Sequence, residues 1–382
     1  MHSAMFLRKK LCVAAVIATI LFLMLASQSI QKRNFLLPLA QPDSSDKPNS
    51  RETGIGLSQK HLSHEPSLPP RKELSDTKDP EKEDEEEEGE EESLKESQDD
   101  QRLCGCSESC VSDLDGSKWF SQRYDPKQQP ILQDTDKFDA GAVSWWLSLQ
   151  RSSKDQTLEG VMSELFKVIA SPTLDFKPLP SQCRSCAVVG NSGNLRNSGH
   201  GNLINSHGII IRMNKAVTRG FEKDVGNRTT HHLLYPESAV DIEHGVRLIL
   251  LPFKLKDLEW LTSALSTGHI KMTYMKVKER INADKDKVLV VNPVFFQYVH
   301  DHWTEHHGRY PSTGMMALIF SLHICDQVSV FGYGADKQGN WDHYWENNPH
   351  AGAFRKTGVH SADFEHEVIH QLAKEGKINL HK

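Results

Sequence analysis

The segment that decides the fold is Ala187-Val188-Val189-Gly190-Asn191-Ser192-Gly193-Asn194-Leu195. An apolar run typical of a buried strand leads directly into a turn rich in glycine and asparagine. Glycines let a backbone approach a phosphate or a sugar closely, and asparagine side chains both donate and accept hydrogen bonds. An ordinary strand-to-helix turn has the same pattern, so the segment alone indicates nucleotide binding only weakly.

Four more apolar runs on the C-terminal side of this segment have the length of buried strands: 209–213, 246–251, 288–291 and 328–331. Residues 315–324 are apolar on most helical faces, which is typical of a buried helix. Trp119-Phe120, Trp145-Trp146 and the amphipathic stretch 158–168 indicate packed helices. Strands that alternate with helices predict an α/β sheet with crossover connections, in one domain over residues 104–382.

The net charge of the chain comes from its first third. The 382 residues carry a formal charge of −6, and residues 79–92 alone hold eleven acidic side chains and one lysine. Residues 104–382 contain 31 basic and 31 acidic residues. A neutral domain without a basic face does not fit nucleic-acid binding. The composition also excludes collagen, coiled-coil and multi-span membrane proteins.

The N-terminal segment predicts a membrane anchor. Arg8-Lys9-Lys10 precede an apolar run over 11–30, which is long enough to span a bilayer. The positive-inside rule places residues 1–10 in the cytosol and the rest of the chain in a lumen. A cleaved signal peptide ending near Ser27-Gln28-Ser29 is the alternative. Both interpretations place the chain in an oxidising compartment.

Residues 31–103 predict a disordered acidic stem. The segment is polar, contains several prolines and includes the acidic block. It cannot bury enough apolar surface to offset the entropy of ordering. We interpret the block as a solvated spacer, with an interaction tail as the alternative.

Six of the seven cysteines follow the apolar run: Cys104, Cys106, Cys110, Cys183, Cys186 and Cys325. They allow fifteen disulfide connectivities. The CxxC spacing of Cys183 and Cys186 also occurs in zinc and redox sites, but structural disulfides are favoured in a luminal chain. Asn227-Arg228-Thr229 is the only N-glycosylation sequon and fits a luminal loop.

Three short strings match metal-site patterns. His302-Trp303-Thr304-Glu305-His306 fits the inverted zincin pattern, and His366-Glu367-Val368-Ile369-His370 fits HExxH. Chance matches are frequent in a chain with 20 histidines. Asp134-Thr135-Asp136 is a DxD string, but it precedes the first strand of the sheet, so we reject it as a metal site. A membrane-anchored zinc hydrolase using residues 366–370 is the alternative function.

Gly308-Arg309-Tyr310-Pro311-Ser312-Thr313-Gly314 precedes the apolar helix. Proline and Ser/Thr at a helix start are ordinary capping residues. A helix N-terminus with these side chains is also a good anion site. The residues alone do not decide between the two.

Together these segments resemble the animal sialyltransferase family. Residues 183–238 are similar to its large motif, 292–336 to its small motif, and His343-Tyr344-Trp345-Glu346 to its third motif. His360 and Glu365 have the H-x4-E spacing of the very small motif. The resemblance is closest to the β-galactoside α-2,3-sialyltransferases that act on Galβ1-3GalNAc, and residues 258–260, 347–349 and 353–358 support that subgroup. It covers the chain from about Trp145 to the C-terminus and leaves out the stem.

The resemblance implies CMP-sialic acid as donor and a galactose 3-hydroxyl as acceptor. His360 would be the general base, His343 would stabilise the departing CMP phosphate, and Gln150 would bind the acceptor. Glu365 would lie behind the residues that contact the substrates and would not contact a substrate itself. The donor-binding residues would be Asn191, Asn214, Tyr274, Tyr310, Ser312, Thr313, Gly314 and Gly334. The reaction would be an inverting displacement with neither a covalent nucleophile nor a metal cofactor.

The resemblance also implies a single Rossmann-like domain of GT-A-variant type, with a mostly parallel sheet flanked by helices. It selects the disulfides Cys186–Cys325, Cys106–Cys183 and Cys104–Cys110. The expected location is the Golgi membrane, as a single-pass type II protein with a luminal catalytic domain. Acceptors on glycoproteins or glycolipids and release of a secreted form by stem cleavage are left open.

Overall fold

The computed structural model describes residues 103–108, 110–150, 156–172, 176–348 and 358–381. They all belong to one compact unit, Pro80–Lys382. The predicted tail, signal anchor and stem up to residue 102 lie outside the described residues, as does the stretch 349–357. Within the described ranges, the helices are too short or too polar to cross a bilayer.

Seven parallel strands form one sheet in the order β5-β4-β3-β2-β1-β6-β7. The strands are β1 Ser185–Val189, β2 Ile209–Met213, β3 His231–Leu234, β4 Arg247–Leu250, β5 Val288–Val290, β6 Gln327–Phe331 and β7 Asn379–His381. The central strands are apolar along their length because both faces of a parallel sheet are covered by helices. All five predicted strands are confirmed.

The helices of the described residues connect and cover these strands. They are α1 Lys118–Ser121, α2 Ala140–Leu149, α3 Leu158–Leu165, α4 Gly201–Ser206, α5 Glu222–Val225, α6 Leu255–Ala264, α7 Pro293–Tyr298, α8 Thr313–Ile324 and α9 Ala362–Lys374. A π-helical turn, Val299–Trp303, follows α7, and 3-10 turns occupy Gly193–Leu195, Pro236–Ser238 and Lys285–Lys287. The predicted buried helix is α8, whose residues from Met315 onward are all buried.

Alternate residues of each strand pack into opposite layers. Val188 and Ile249 belong to the core that includes α8, whereas Leu248 and Leu250 belong to the core that includes α3 and α6. The sheet is therefore the middle layer of three. The α/β class with crossover connections is confirmed.

Strand β3 was not predicted, because it begins with two histidines. The strand lies between β2 and β4, and burial lowers the pKa of His231 to about 4 with a smaller contribution from Arg247. An imidazole in that environment is neutral, so it behaves as a flat, weakly polar strand residue. The edge strand β7 was also missed, since Asn379–His381 is short and polar.

The structure contains the three disulfides that the resemblance implies: Cys104–Cys110, Cys106–Cys183 and Cys186–Cys325. Cys186 and Cys325 connect β1 to the end of α8 across a sequence separation of 139. Beside this bond, the Arg184 guanidinium donates two hydrogen bonds to the Asp326 carboxylate, of 2.9 and 2.5 Å. The starts of β1 and β6 are thus held by both a covalent and an ionic connection.

Candidate functional site

A pocket opens where the chain changes direction in the sheet. From β1 the chain runs outward through β2 to β5 and then returns to place β6 on the other side of β1. Open α/β sheets bind ligands at such a switch point, beyond the carboxyl ends of the strands. Here the cavity has a volume of about 340 Å³.

The turns after β1 and β6 cross at very short range. The Gly190 N–H donates to the Phe331 carbonyl at 2.8 Å, and a Cβ at Gly190 would lie 2.3 Å from the Gly332 carbonyl oxygen. Gly332 itself has φ of 69°, and its Cβ would lie 2.4 Å from Leu195 Cδ1. Only glycine satisfies both positions. The glycine-rich turn therefore brings the two strand ends close enough to share one pocket.

Eight of the predicted site residues line this pocket: Asn191, Asn214, Ser312, Thr313, Gly314, Gly334, His343 and His360. They come from segments that are far apart in the chain. Tyr274, Tyr310 and Gln150 do not contribute to the pocket wall. Tyr235, Trp341 and Asp342 also line it, although the sequence analysis assigned them no role. Glu365 and His366, the latter from the HExxH string, line it as well.

Asn191 and Asn214 are held in fixed orientations. Asn191 Nδ2 donates to the Met213 carbonyl at 3.0 Å, while its Oδ1 is buried and has no hydrogen-bond partner among the described residues. Asn214 has φ of 59°, and its Oδ1 accepts a bond of 2.9 Å from Ser238. Asn191 thus presents an acceptor and Asn214 presents amide donors, a pair that suits a ligand with both kinds of group.

The start of α8 combines the two roles that the sequence left open. Ser312 is the N-cap, and its Oγ accepts from the Met315 N–H at 3.1 Å. The Ser312 N–H and Oγ–H both donate to Glu365, at 2.7 and 2.5 Å. Ser312 is therefore a capping residue tied to a buried carboxylate. Thr313 and Gly314 are the first-turn residues that line the pocket as an anion site requires.

Glu365 gives this junction a pH dependence. Burial raises its pKa from 4.5 to about 7, against the two hydrogen bonds from Ser312. Because the folded chain holds this proton more tightly than the unfolded chain, the resulting stability is full below the ordinary glutamate pKa. It is lost as the pH rises through about 7.

We expect Glu365→Gln to remove this pH dependence, since glutamine resembles the protonated acid at every pH. The free energy of unfolding of the wild type, relative to the variant, should increase as the pH falls from about 7.5 to about 5. Denaturant unfolding at both pH values measures it. Glu367→Gln, on the exposed side of the same helix, is the matched control. A Glu365→Gln difference that is the same at both pH values would contradict the prediction.

His360 has a defined tautomer. Its Nδ1 lies 2.9 Å from the Tyr310 carbonyl oxygen, which can only accept, so Nδ1 carries the hydrogen and Nε2 the lone pair. Burial lowers the pKa of His360, and the bond to Tyr310 partly opposes this. The backbone beside it pairs with Gly308 and Arg309. A neutral, oriented imidazole at the edge of a ligand pocket is suited to general base catalysis.

His343 also lines the pocket and is oriented by its neighbours. Its Nδ1 is 3.1 Å from Glu346 Oε1, and its ring stacks on Trp345 with centroids 4.5 Å apart. The hydrogen bond from His343 is the main reason that the pKa of Glu346 is below its usual range. In its cationic form His343 donates to Glu346 through Nδ1 and keeps a second N–H, on Nε2, for an anion.

The two predicted tyrosines differ in position. Tyr310 hydrogen-bonds the Gln150 side chain and stacks edge-on against His360, with centroids 5.1 Å apart. Gln150, the C-cap of α2, therefore contacts the tyrosine that also packs against the base. Tyr274 is 64% exposed, and its ring lies 4.9 Å from Lys254 Nζ. The structure does not bring Tyr274 to the pocket.

Among the described residues, neither the HExxH string nor the rejected DxD string contributes to a group of three potential metal ligands. His366 and His370 are neighbours on α9, with ring centroids 4.3 Å apart, but no group of three potential ligands among the described residues includes them. Asp136 accepts bonds from Gln133 and Asn292, and Asp134 accepts one from Ser171. The DxD carboxylates therefore have structural roles away from the pocket.

A parallel sheet with a ligand pocket at its switch point is typical of nucleotide-binding α/β enzymes. The oriented imidazole in that pocket is suited to general base catalysis. The sequence pattern of glycosyltransferase family 29 (sialyltransferase) matches residues 132–377. The chain belongs to this family. It is a sialyltransferase and hence a glycosyltransferase, so the alternative of a zinc hydrolase at residues 366–370 is wrong.

Individual relatives are similar over most of the domain. The mouse CMP-N-acetylneuraminate-beta-galactosamide-alpha-2,3-sialyltransferase 2 is 52% identical over 282 residues, which cover 74% of this chain and 80% of that protein. The human sialyltransferase 1 of the same description is 50% identical over 285 residues, covering 74% and 83%. A crystal structure of a mammalian sialyltransferase with Gal-beta-1-3GalNAc-ortho-nitrophenol has a TM-score of 0.67 and 45% identity. It covers 73% of this chain and 99% of that one.

Proposed function

We propose that this chain transfers sialic acid from CMP-sialic acid to the 3-hydroxyl of terminal galactose in Galβ1-3GalNAc glycans. The observation that carries the proposal is His360, whose tautomer is set by the Tyr310 carbonyl in a pocket shared with Asn191 and His343. The names of the mouse and human relatives and the acceptor analogue in the related crystal structure support the donor, the acceptor and the linkage.

In the proposed reaction, Nε2 of His360 takes the proton of the galactose 3-hydroxyl as that oxygen bonds to the anomeric carbon of sialic acid. The bond from this carbon to the CMP phosphate breaks on the opposite side, so the configuration inverts. The Tyr310 carbonyl keeps its bond to Nδ1 throughout and stabilises the imidazolium that forms. The Gln150 side chain, adjacent through Tyr310, binds the acceptor.

The leaving phosphate takes up negative charge during this step. His343, as a cation, and the first-turn N–H groups of Thr313 and Gly314 would stabilise it. These groups supply positive potential without a metal ion, and the DxD carboxylates are used in structural bonds. We therefore propose a reaction without a metal cofactor, in a domain of GT-A-variant type.

We also propose that the chain is a type II membrane protein of the Golgi, anchored by residues 11–30 and extended by an acidic stem. The three disulfides of the described residues fit an oxidising lumen. Asn227, the sequon residue, is exposed, as a glycosylation acceptor must be.

To test the function, the full-length chain in detergent is incubated with CMP-sialic acid and a panel of β-galactosides, and the linkage of each product is determined by NMR. We expect an α-2,3 product, formed fastest on Galβ1-3GalNAc, with turnover that is retained in EDTA. A 2,6 linkage, or activity that EDTA abolishes and a metal restores, would contradict the proposal. Hydrolysis of CMP-sialic acid without acceptor, measured in parallel, separates transfer from simple donor cleavage.

A further inference from the structure

Three potential metal ligands converge at the π-helical turn that follows α7. They are His300, Asp301 and His306, and one ligand atom of each lies within 4.8 Å of the other two. His306 Nδ1 is 3.5 Å from Asp301 Oδ1. None of the three lines the pocket, and the proposed mechanism does not use them. The sequence pattern of an inverted zincin grouped residues 302 and 306, whereas the fold groups 300, 301 and 306.

The spacing is close to that of a tetrahedral site. With metal–ligand bonds of about 2.0–2.1 Å, the ligand atoms of tetrahedral zinc lie about 3.4 Å apart. The pair His306–Asp301 already has this separation, at 3.5 Å. All three ligand atoms lie within 4.8 Å of one another, and His306 is the exposed member of the group. Two imidazoles and one carboxylate are a donor set that Zn²⁺ uses widely.

The turn that brings His306 back is firmly built. The His306 N–H and the Thr304 hydroxyl both donate to the His300 carbonyl, each at 3.1 Å. Glu305 forms an ion pair with Arg123. Glu305 and His306 have φ of 46° and 63°, a left-handed conformation that is unfavourable for a non-glycine residue. The backbone is thus held in an unfavourable conformation that places one imidazole over the other two ligands.

His300 is the buried member of the cluster. It is 5% exposed, and its ring stacks on Trp145 of α2 with centroids 5.2 Å apart. His306 is the exposed member, with a side chain that is 70% accessible. A cation would therefore bind from the surface onto a fixed inner ligand, with the fourth coordination position directed to solvent or to an external ligand.

We propose that His300, Asp301 and His306 form a three-ligand site for Zn²⁺ that is separate from the catalytic pocket. Two residues after His306, Gly308 pairs with His360, and the Arg309 N–H donates to the Val359 carbonyl at 2.8 Å. The same segment then provides the Tyr310 carbonyl that orients His360. Zinc at this turn would bind close in the chain to the segment that orients His360, and its ligands are not among the residues that line the pocket.

The test uses the purified full-length chain, stripped of metal with EDTA and exchanged into metal-free buffer. Zn²⁺ is titrated by calorimetry, and Co²⁺ is titrated as a spectroscopic substitute whose visible bands report tetrahedral coordination. The site variants are His306→Ala and Asp301→Asn. The matched controls are His302→Ala, from the same turn, and His370→Ala, from the HExxH string. Metal-free thermal melts verify that every variant folds like the wild type.

We expect the wild type and both controls to share one binding event that each site variant weakens by more than about 100-fold, because outer-shell partners alone are worth 10–100-fold. Zinc should also raise the melting temperature of the wild type and the controls, but not of the site variants. Binding that is unchanged in the site variants, that disappears in His370→Ala, or that is absent from the wild type would overturn the proposal.

Discussion

Replacing His360 with alanine is expected to lower kcat by about 10²–10⁴-fold, the usual contribution of a general base. The variant loses the imidazole whose Nδ1 is bound to the Tyr310 carbonyl, and with it the proposed acceptor of the galactose proton. KM for CMP-sialic acid should change little, because the asparagines and the start of α8 remain. Steady-state kinetics with saturating acceptor measure both quantities.

The matched variant is His360→Asn, whose Nδ2 takes the place of the imidazole Nδ1 and can still donate to the Tyr310 carbonyl, but which cannot take up a proton. It should be as slow as the alanine variant, which separates proton transfer from positioning. In the wild type, kcat should fall at acidic pH, and the pH at which it reaches half its maximum should be below the ordinary histidine pKa. The reason is that burial lowers the pKa of His360. Near-normal turnover in either variant would exclude His360 as the base.

Removing the disulfide between Cys186 and Cys325 is expected to cost about 5 kcal/mol of unfolding free energy in the chain-entropy model, for a sequence separation of 139. Both cysteines are buried, so the variant is Cys186→Ala with Cys325→Ala to avoid unpaired polar groups. Denaturant unfolding with matched m-values measures the loss.

The control for loop length is the Cys104–Cys110 disulfide, which closes a separation of only 6. The same model gives about 2 kcal/mol for Cys104→Ala with Cys110→Ala. The contrast between the two double variants is the informative quantity. Equal losses would show that restriction of the unfolded chain is not the main contribution of the longer bond.

The fold could be predicted wherever burial leaves an apolar signature. Strands such as Ile209–Met213 and the helix Thr313–Ile324 are apolar because both of their sides are covered. The strand His231–Leu234 was missed because histidine counts as polar in a sequence pattern, although burial keeps the imidazole of His231 neutral in the sheet. The helix predicted to extend to residue 168 ends at Leu165, where the amphipathic pattern gives no stop signal.

The site was predictable only in part from local residues. The turn beginning at Gly190 indicated a ligand, but no local pattern pairs it with Gly332, because the two glycines meet only through the order of strands in the sheet. The family motifs supplied that connection. The motifs did not indicate the two buried ion pairs of Lys254. Its Nζ lies 2.7 Å from Asp257 Oδ1 and 3.5 Å from Glu237 Oε1, and it faces the Tyr274 ring. Contacts of this kind depend on tertiary packing.

The strand order of the sheet also determines the order in which the strands can pair during synthesis. β2 to β5 each add to the strand made just before them, whereas β6 pairs with β1, which was synthesised long before. Until β6 emerges, one edge of β1 has unpaired N–H and C=O groups, a template for pairing with other chains. Long-range pairing of this kind slows folding. We expect the pocket between β1 and β6 to form late in folding. Until then, the nascent domain is prone to aggregate through the unpaired edge of β1.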